Sequence, residues 1–396
     1  MKMKYFNTLL LFVMLIILTS CNTGPQPLSE LIDEQLNFAA EQYTGMHAAL
    51  PSEQLPRSTH METGALVTSG SGWWCSGFFP GSLWYLYEYT GDEKLKKMAM
   101  ERTGLIEKEQ YNTGTHDLGF MIYNSYGQGH RVSGIESYKQ VMINGAYSLA
   151  SRYSETTGCI QSWDHGSWMF PVIIDNMMNL EFLMWAFRET GDSLFFDVSE
   201  SHTARTIENH FRDDFSTYHL VDYDTITGEV LKRQTVQGFA DESAWARGQS
   251  WGFYGFVTMY RDTKNEQYLS QALNMAEFLL NHPNMPDDGV PYWDFNAPDT
   301  PGVNRDASAG AILASGLVEL SGYVEGEKAE KYRSFAEKIV RTLASDTYRA
   351  ELGSNNNFIL KHSVGHLPNN SEVDVPLTYA DYYFIETLMR LNESGR

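Results

Sequence analysis

Positive charge is what this chain has least of. Its 396 residues carry 29 Lys and Arg against 50 Asp and Glu, a formal net charge of −21. That balance leaves no basic surface for a phosphate backbone and excludes a nucleic-acid partner. An anionic substrate stays compatible, provided that cations are concentrated at its site. Cysteine is scarcer still, at three. Beyond Cys21, only Cys75 and Cys159 remain, enough for one bridge but not for a disulfide framework. No Cys/His spacing suggests a structural zinc. Long strand patterns are scarce as well, and helical periodicity dominates.

The N-terminal segment reads as a targeting signal. Lys2 and Lys4 precede the apolar run 9–18, and Thr19 and Ser20 follow it. A charged start, a short apolar core and small residues make a secretory signal, too short to span a membrane comfortably. Leu18-Thr-Ser-Cys21 also resembles a bacterial lipobox, which implies cleavage before Cys21 and a lipid on its sulfur. The expected organisation is a signal over 1–20, a tether over 21–28 and a single catalytic domain over 29–396. The expected location is the bacterial envelope, periplasmic or cell-surface, with the membrane touched only through the lipid on Cys21.

One phrase recurs down the rest of the chain: an apolar helix rich in small and aromatic residues, a turn, then a charged amphipathic helix. It is read at 77–92 into 93–107, 118–126 into 135–153, 173–190 into 193–210, 247–261 into 266–281 and 307–324 into 328–344. Single helices at 29–43 and 375–391 begin and end the series. About twelve helices in six hairpins, with a period of tens of residues, mean a repeat architecture. Apolar helices inside and amphipathic ones outside make an all-α (α/α)6 barrel. An open superhelix of pairs is the alternative. Closure is favoured because the helix at 29–43 has no inner partner until the one at 375–391 joins it. In such a ring the loops entering the inner helices gather at one mouth. Here they are 68–79, 111–119, 161–171, 218–249, 291–306 and 358–374, and they hold most of the Trp and His. Within the fourth, 217–224 and 229–234 read as a short hairpin.

The helix expected to start near Pro171 is apolar almost all round, yet it carries Asp175 and Asn179 four apart on one side. A buried unpaired charge is expensive. An Asp in a first turn can simply satisfy free N–H groups; catalysis is the other reading. Asp117, in His116-Asp-Leu-Gly-Phe120, poses the same choice. If the two carboxylates face each other across the pore, repulsion and desolvation should outweigh a helix-dipole effect of about 1 kcal/mol. One of them would then donate a proton near neutral pH. The mouth loops add Trp163, Trp168, His219, Gln237, Trp245, Arg247, Gln249 and Trp251. Rings mixed with carboxylates and amides compose a sugar-binding cleft, although any single Trp is more often core. Arg247 can grip a carboxylate with two hydrogen bonds, unless it pairs with Asp241 or Glu242. His219 is a second group for an anion. Lys361, His362 and Ser363 could wall the next sugar or belong to a solvated connector. His202, His210 and His282 are expected at the surface.

His116-Asp-Leu-Gly-Phe120, Ile173-Ile-Asp-Asn-Met-Met-Asn-Leu180 and Trp245-Ala-Arg-Gly-Gln-Ser-Trp251 resemble the three signature segments of the unsaturated glucuronyl hydrolases, glycoside hydrolase family 88. Similarity extends over most of the chain, to 371–383. The resemblance implies an (α/α)6 fold and a substrate: oligosaccharides ending in a 4,5-unsaturated uronic acid, made upstream by a polysaccharide lyase. It implies neither a metal nor an organic cofactor. It also implies that Asp175 protonates C4 of the vinyl ether and then activates the water that adds at C5, after which the hemiketal opens and the glycosidic bond is lost. Asp117 matches the second family carboxylate. His219, Gln237, Arg247 and Trp251 match positions that contact the sugar and its carboxylate; His116 and Trp245 lie in the same segments, and Trp163 and Trp74 fit stacking positions. In the related unsaturated rhamnogalacturonyl hydrolases of family 105, which act on pectin fragments, Arg-Gly typically continues with Asn-Gly; Arg247-Gly-Gln-Ser-Trp251 follows the glucuronyl form. Two other readings stay open. One is an ordinary inverting glycosidase with carboxyl groups roughly 6.5–9.5 Å apart. The other is a non-catalytic glycan-binding lipoprotein.

Overall fold

The computed structural model describes residues 25–298 and 302–394. The expected signal, Cys21 and the first part of the tether lie outside them. Helices α1 (Leu28–Ala49), α2 (Phe78–Thr90) and α3 (Glu93–Gly104) come first. A π-helix, Gly119–Gly127, then runs into the short α4 (Gln128–Ser133), followed by α5 (Ser137–Ala150). A 3-10 segment, Ile174–Asn179, continues into α6 (Leu180–Thr190), and α7 (Ser193–Asn209) follows. The remaining helices are α8 (Ala246–Thr263), α9 (Glu266–Asn281), α10 (Ala307–Ser321), α11 (Gly326–Leu343) and α12 (Thr378–Ser394).

An inner ring runs through α2, the π-helix, the 3-10 segment with α6, α8, α10, α12 and back to α2, each packed on the next. Behind them, in the same order, stand α3, α5, α7, α9, α11 and α1. This is a closed (α/α)6 toroid, and α1 docks on α12 as closure requires. Composition decides which helix goes where. In α10 every residue from Ala307 to Leu320 is buried, whereas α11 buries a single stripe of Tyr332, Ala336, Ile339, Val340 and Leu343. Small residues let the inner elements touch: a Cβ on Gly255 would lie 2.4 Å from that of Met177. Buried rings such as Phe182 and Phe253 each contribute about 1.5–3 kcal/mol. The turns between pairs repeat as well. Gly91 and Gly191 end their helices at φ 67° and 71°, where glycine is unstrained. Asp92 and Asp192 then cap the next helix through the N–H groups of Lys94 and Leu194.

Closure is locked by a buried carboxylate. Asp381 on α12 accepts from Tyr43 of α1 at 3.2 Å and from the backbone N–H groups of Ile359 and Leu360 at 2.9 Å each. Burial pushes this carboxyl up to about 7 despite those three donors.

Short antiparallel strands decorate the mouth: β1 (Leu55–Thr59) with β2 (Leu66–Ser69), and β3 (Tyr153–Ser154) with β4 (Cys159–Ile160). Strands β5 (Pro171–Ile173), β6 (Leu220–Tyr223) and β7 (Val230–Gln234) form one sheet, and β8 (Ser363–His366) pairs with β9 (Ser371–Val375). The hairpin of β6 and β7 falls where it was expected; β5 does not. The residues from Pro171 to Ile173 are extended rather than helical, and the chain turns helical only at Ile174. The β-branched run Val172-Ile173-Ile174 suits a strand, and Val172 pairs with Val221. The element expected at 118–126 is a π-helix, a form that gathers at functional sites. His202 and His210, expected at the surface, are wholly buried, because Ile160 N–H donates to the first and the second donates to Val172 carbonyl. Cys75 and Cys159 are both buried and free.

Candidate active site

A cavity of about 520 Å³ opens at the mouth. Asp175, Asp117, His116, Trp163, Trp74, Gln237 and Arg247 all line it. The structure thus brings together candidates from five separate stretches of sequence.

Asp175 sits on the 3-10 segment directly after β5, whose pairing with β6 fixes where that segment begins. The 3-10 segment starts without a side-chain cap, and Asp175 Oδ2 is buried with no hydrogen-bond partner. Burial pushes its carboxyl up to about 7, Arg247 pulling it down and the charge of Asp117 pushing it further up. Asp117 does not cap the π-helix either, since that role falls to Leu118 without a side-chain bond. Its Oδ2 accepts from Thr115 hydroxyl at 3.0 Å and its Oδ1 lies 3.3 Å from His116 Nε2. His116 is oriented by Nδ1, which donates to Ser162 carbonyl at 2.8 Å.

His219 departs from expectation. Its Nδ1 accepts the backbone N–H groups of Val236 at 3.0 Å and Gln237 at 3.2 Å. Two donors on one nitrogen leave the ring proton on Nε2, which points toward Asp175 Oδ2 at 3.9 Å. Burial, then the nearby charge of Arg247, holds its pKa well below the usual histidine value. His219 is therefore a neutral donor behind the cavity wall rather than a cation for an anionic group.

Arg247, in the first turn of α8, is buried and already engaged. Nη1 donates to Asp306 Oδ2 at 3.2 Å and to Val364 carbonyl; Nη2 donates to Gln237 Oε1 and to Gly365 carbonyl, each at 2.7 Å. It pairs with neither Asp241 nor Glu242. A two-pronged grip on a carboxylate would require some of these bonds to open, and the Gln237 side chain is the only non-backbone, uncharged acceptor among them. Trp245, expected in the cavity, lies behind it: its ring sits 4.4 Å from the Arg247 guanidinium and 4.6 Å from His219. Trp251 is fully buried beneath the floor, against Phe120 and Tyr383. Indole nitrogen and ring alike are out of reach of a ligand there, because the inward side of α8 faces the aromatic core. Gln249 is also structural, bonding both N–H and carbonyl of Thr217.

Two tryptophan loops complete the rim. Trp163 stacks on His165 and meets Trp168 edge-on, and the Arg152–Asp164 pair at 2.9 Å pins their loop. Trp74 packs on Tyr379 at 4.8 Å. Sequence reasoning missed Arg57, Glu372 and Tyr379, all on the cavity wall. Arg57 reaches Glu372 at 2.6 Å and lies over Trp73 at 4.2 Å. No local pattern marks Arg57; Tyr379 and Glu372 lay inside the matched segment 371–383 and could have been raised from it. The hairpin of β8 and β9 does form a wall, but through Gly365, His366, Asn369, Ser371 and Glu372. Lys361, His362 and Ser363 are turned elsewhere, the first two to Asp346 carbonyl and Asp374, the third into the core. Of the nine non-glycine residues with positive φ among the described residues, seven fall in 355–374: Asn355, Asn356, Asn357, His362, Asn370, Glu372 and Asp374. Of these only Glu372 lines the cavity; Asp374 shares its strand β9, and the others lie in the turns that lead into and close the hairpin of β8 and β9.

A raised carboxyl beside a second carboxylate, under indole rings and at the mouth of a helical toroid, defines an enzyme that works on carbohydrate. Comparison narrows that class to one family. The family model described as Glycosyl Hydrolase Family 88 matches residues 52–392, and the chain belongs to this family. It is 44% identical over 342 residues to the unsaturated glucuronyl hydrolase of Formosa agariphila, covering 86% of this chain and 85% of that relative. It is 35% identical to the unsaturated chondroitin disaccharide hydrolase of Streptococcus agalactiae, with coverage of 80% and 81%. A crystal structure of an unsaturated glucuronyl hydrolase specific for heparin superposes with a TM-score of 0.90 at 46% identity, covering 93% of this chain and 98% of that one.

Proposed function

We propose that this chain is an unsaturated glucuronyl hydrolase, removing the 4,5-unsaturated uronic acid from the non-reducing end of lyase-generated, glycosaminoglycan-type oligosaccharides. One observation carries the mechanistic part: Asp175 is buried, raised to about 7, and has an oxygen with no protein partner. Such a group is protonated often enough at neutral pH to give a proton to C4 of the vinyl ether. Electron density then leaves the C4=C5 bond, and positive charge develops at C5 and the ring oxygen. Asp175, now a carboxylate, takes a proton from the water that bonds to C5. The Nε2–H of His219 points toward Asp175 Oδ2 from 3.9 Å. The product is a hemiketal at C5; its ring opens, and the glycosidic bond is lost with it.

Asp117 acts by charge, raising Asp175, and is placed to hold the sugar. Arg247 gives the positive potential a uronate needs, and Gln237 offers its amide NH₂, its oxygen being taken by Arg247. Trp163 and Trp74 supply faces for sugar rings. The finer assignment, which glycosaminoglycan and which linkage, is a matter for assay. Purified enzyme is given unsaturated disaccharides from chondroitin, hyaluronan, heparin and pectin, and loss of the ultraviolet absorbance of the conjugated enol ether is followed. Turnover on the glycosaminoglycan products and none on saturated glycosides is expected. Strict preference for the pectin product would move the chain toward the rhamnogalacturonyl reading, and binding without turnover would make it a glycan-binding protein.

The exported, Cys21-anchored placement is likewise a proposal, supported by the lipobox-like Leu18-Thr-Ser-Cys21. Among the described residues no helix is long and apolar enough to cross a membrane. Labelling with radioactive palmitate should be lost in Cys21→Ala; equal labelling of that variant would remove the anchor.

A further inference from the structure

Asn179 shares a side of its segment with Asp175, and the chemistry above leaves it without a task. It is wholly buried, and its Oδ1 accepts the backbone N–H of Phe120 at 3.1 Å across the seam between two inner elements. Phe120 lies three residues beyond Asp117, in the first turn of the π-helix. Asn179 ends the 3-10 segment that carries Asp175. Each carboxylate therefore stands on the same short segment as one half of this bond. The approach is close: a Cβ on Gly119 would lie 2.6 Å from Asn179 Oδ1 and 2.9 Å from its Cα. Only glycine lets the two backbones meet there.

A second tie has the same plan. Asn176 Nδ2 donates to Ile160 carbonyl at 2.8 Å and to Ser162 Oγ at 3.4 Å. Ser162 carbonyl in turn accepts from His116 N–H at 3.3 Å and from His116 Nδ1 at 2.8 Å. The two asparagines that follow Asp175 thus reach the two residues that flank the Asp117 segment, one directly and one through 160–162.

We propose that Asn179 is a positioning residue: its bond to Phe120, permitted by Gly119, holds Asp117 against Asp175. The inference rests on the assignment of Asp175 as the proton donor. Three charged or titratable groups face Asp175 from the elements around it: Arg247 from α8, Asp117 from the segment before the π-helix, and His219 from the approach to β6. Arg247 is anchored by four acceptors and His219 by two backbone amides. Asp117 is the one whose place depends on the π-helix seam. If the seam opens, Asp117 withdraws or water enters, and each change favours the Asp175 carboxylate over the acid. The acid is the form that begins turnover, so its loss with rising pH is read on the basic limb of the kcat/KM profile.

The test is that profile for the full chain on an unsaturated uronyl disaccharide, with kcat, KM and melting temperature recorded alongside. Asn179→Ala removes the acceptor. It should lower kcat about tenfold with little change in KM and move the basic limb down by about half a pH unit or more. Asn179→Asp keeps an acceptor at Oδ1 and adds a carboxylate, so its limb should move up. Opposite displacements are what a purely structural asparagine would not produce. Limbs that stay where the parent has them, with only the melting temperature lowered, overturn the proposal. Should Asn179→Ala fail to fold, Asn179→Ser, whose shorter side chain cannot reach the Phe120 N–H, takes its place: a lowered limb supports the proposal, and an unchanged one overturns it. An active Asp175→Asn enzyme would instead remove the underlying assignment; an inactive one with unmoved Asn179 limbs removes this inference only.

Discussion

The two ends of the pore bury carboxylates in opposite ways. At the far end, Glu319 meets Arg261 at 3.2 Å and Arg390 at 2.8 Å, Glu181 meets Arg261 at 2.6 Å, and Asp262 meets Arg188 at 2.8 Å. At the mouth, the nearest guanidinium spends its terminal nitrogens on Asp306, Gln237 and two carbonyls, and Asp175 keeps an oxygen with no partner. Burial pushes both Glu319 and Asp175 up. Arg261 and Arg390 more than offset it and hold Glu319 below the usual carboxylate range, whereas Asp175 rises to about 7. A buried carboxylate matched by arginines ties helices together; one left short of partners is free to trade protons.

The sharpest way to test that contrast is to neutralise the unmatched group. Asp175→Asn should lower turnover by about 10³-fold or more without lowering the melting temperature, because no bond to its Oδ2 is lost. Glu319→Ala does the reverse. Taking one carboxylate from two half-buried arginines, each of which keeps another acidic partner, should cost about 1–3 kcal/mol in denaturant unfolding, while the folded enzyme keeps the parental pH profile. A displaced profile in Glu319→Ala would show that the ends are coupled and would break the comparison. Asp117→Asn should cost about 10²-fold in kcat/KM and shift the basic limb to lower pH, since a like charge is removed from Asp175. An unmoved limb would mean that burial alone raises Asp175.

Stability against pH gives the smallest and subtlest contrast. Asp175 is raised from an unfolded value of about 3.9, so its contribution is fully present below that value and is lost as pH rises through about 7. Glu319 is lowered, so its contribution is present above its unfolded value and is lost as pH falls through the folded one. Melting curves at a series of pH values should therefore flatten between about pH 4 and 7 in Asp175→Asn and on the acid side in Glu319→Gln. Flattening in the same window for both variants would contradict the opposite signs.

Most of the ring was legible in sequence because its signals are local: Thr-Gly-Asp turns at 90–92 and 190–192, one apolar stripe on α11, none on α10. The carboxylates were legible for a related reason, since a charge in an apolar run is conspicuous wherever the run ends up. The errors come from long-range pairing. Val172-Ile173-Ile174 became a strand and a 3-10 turn because β6 was there to receive it, nearly fifty residues away by the pairing of Val172 with Val221. Trp251 and Trp245 carry the same composition signal as Trp163 and Trp74; which indole reaches the cavity depends on the rotation of α8 against its neighbours. Arg57 and Glu372 needed the two ends of the chain to meet before they could find each other.

That meeting has a kinetic side. Trp74 comes from the segment entering α2 and Tyr379 from α12, and their rings touch on one wall of the cavity. Asp117 and Asp175 lie in the first half of the chain and could be folded early, but their pocket acquires that wall only when α12 seats between α10 and α2. Closing a ring across almost the whole chain is a late, entropically slow event. A chain halted before α12 would expose the inner faces of α2 and α10 together, a sticky intermediate that invites aggregation. Competence to bind sugar and escape from that hazard are thus reached in the same folding step.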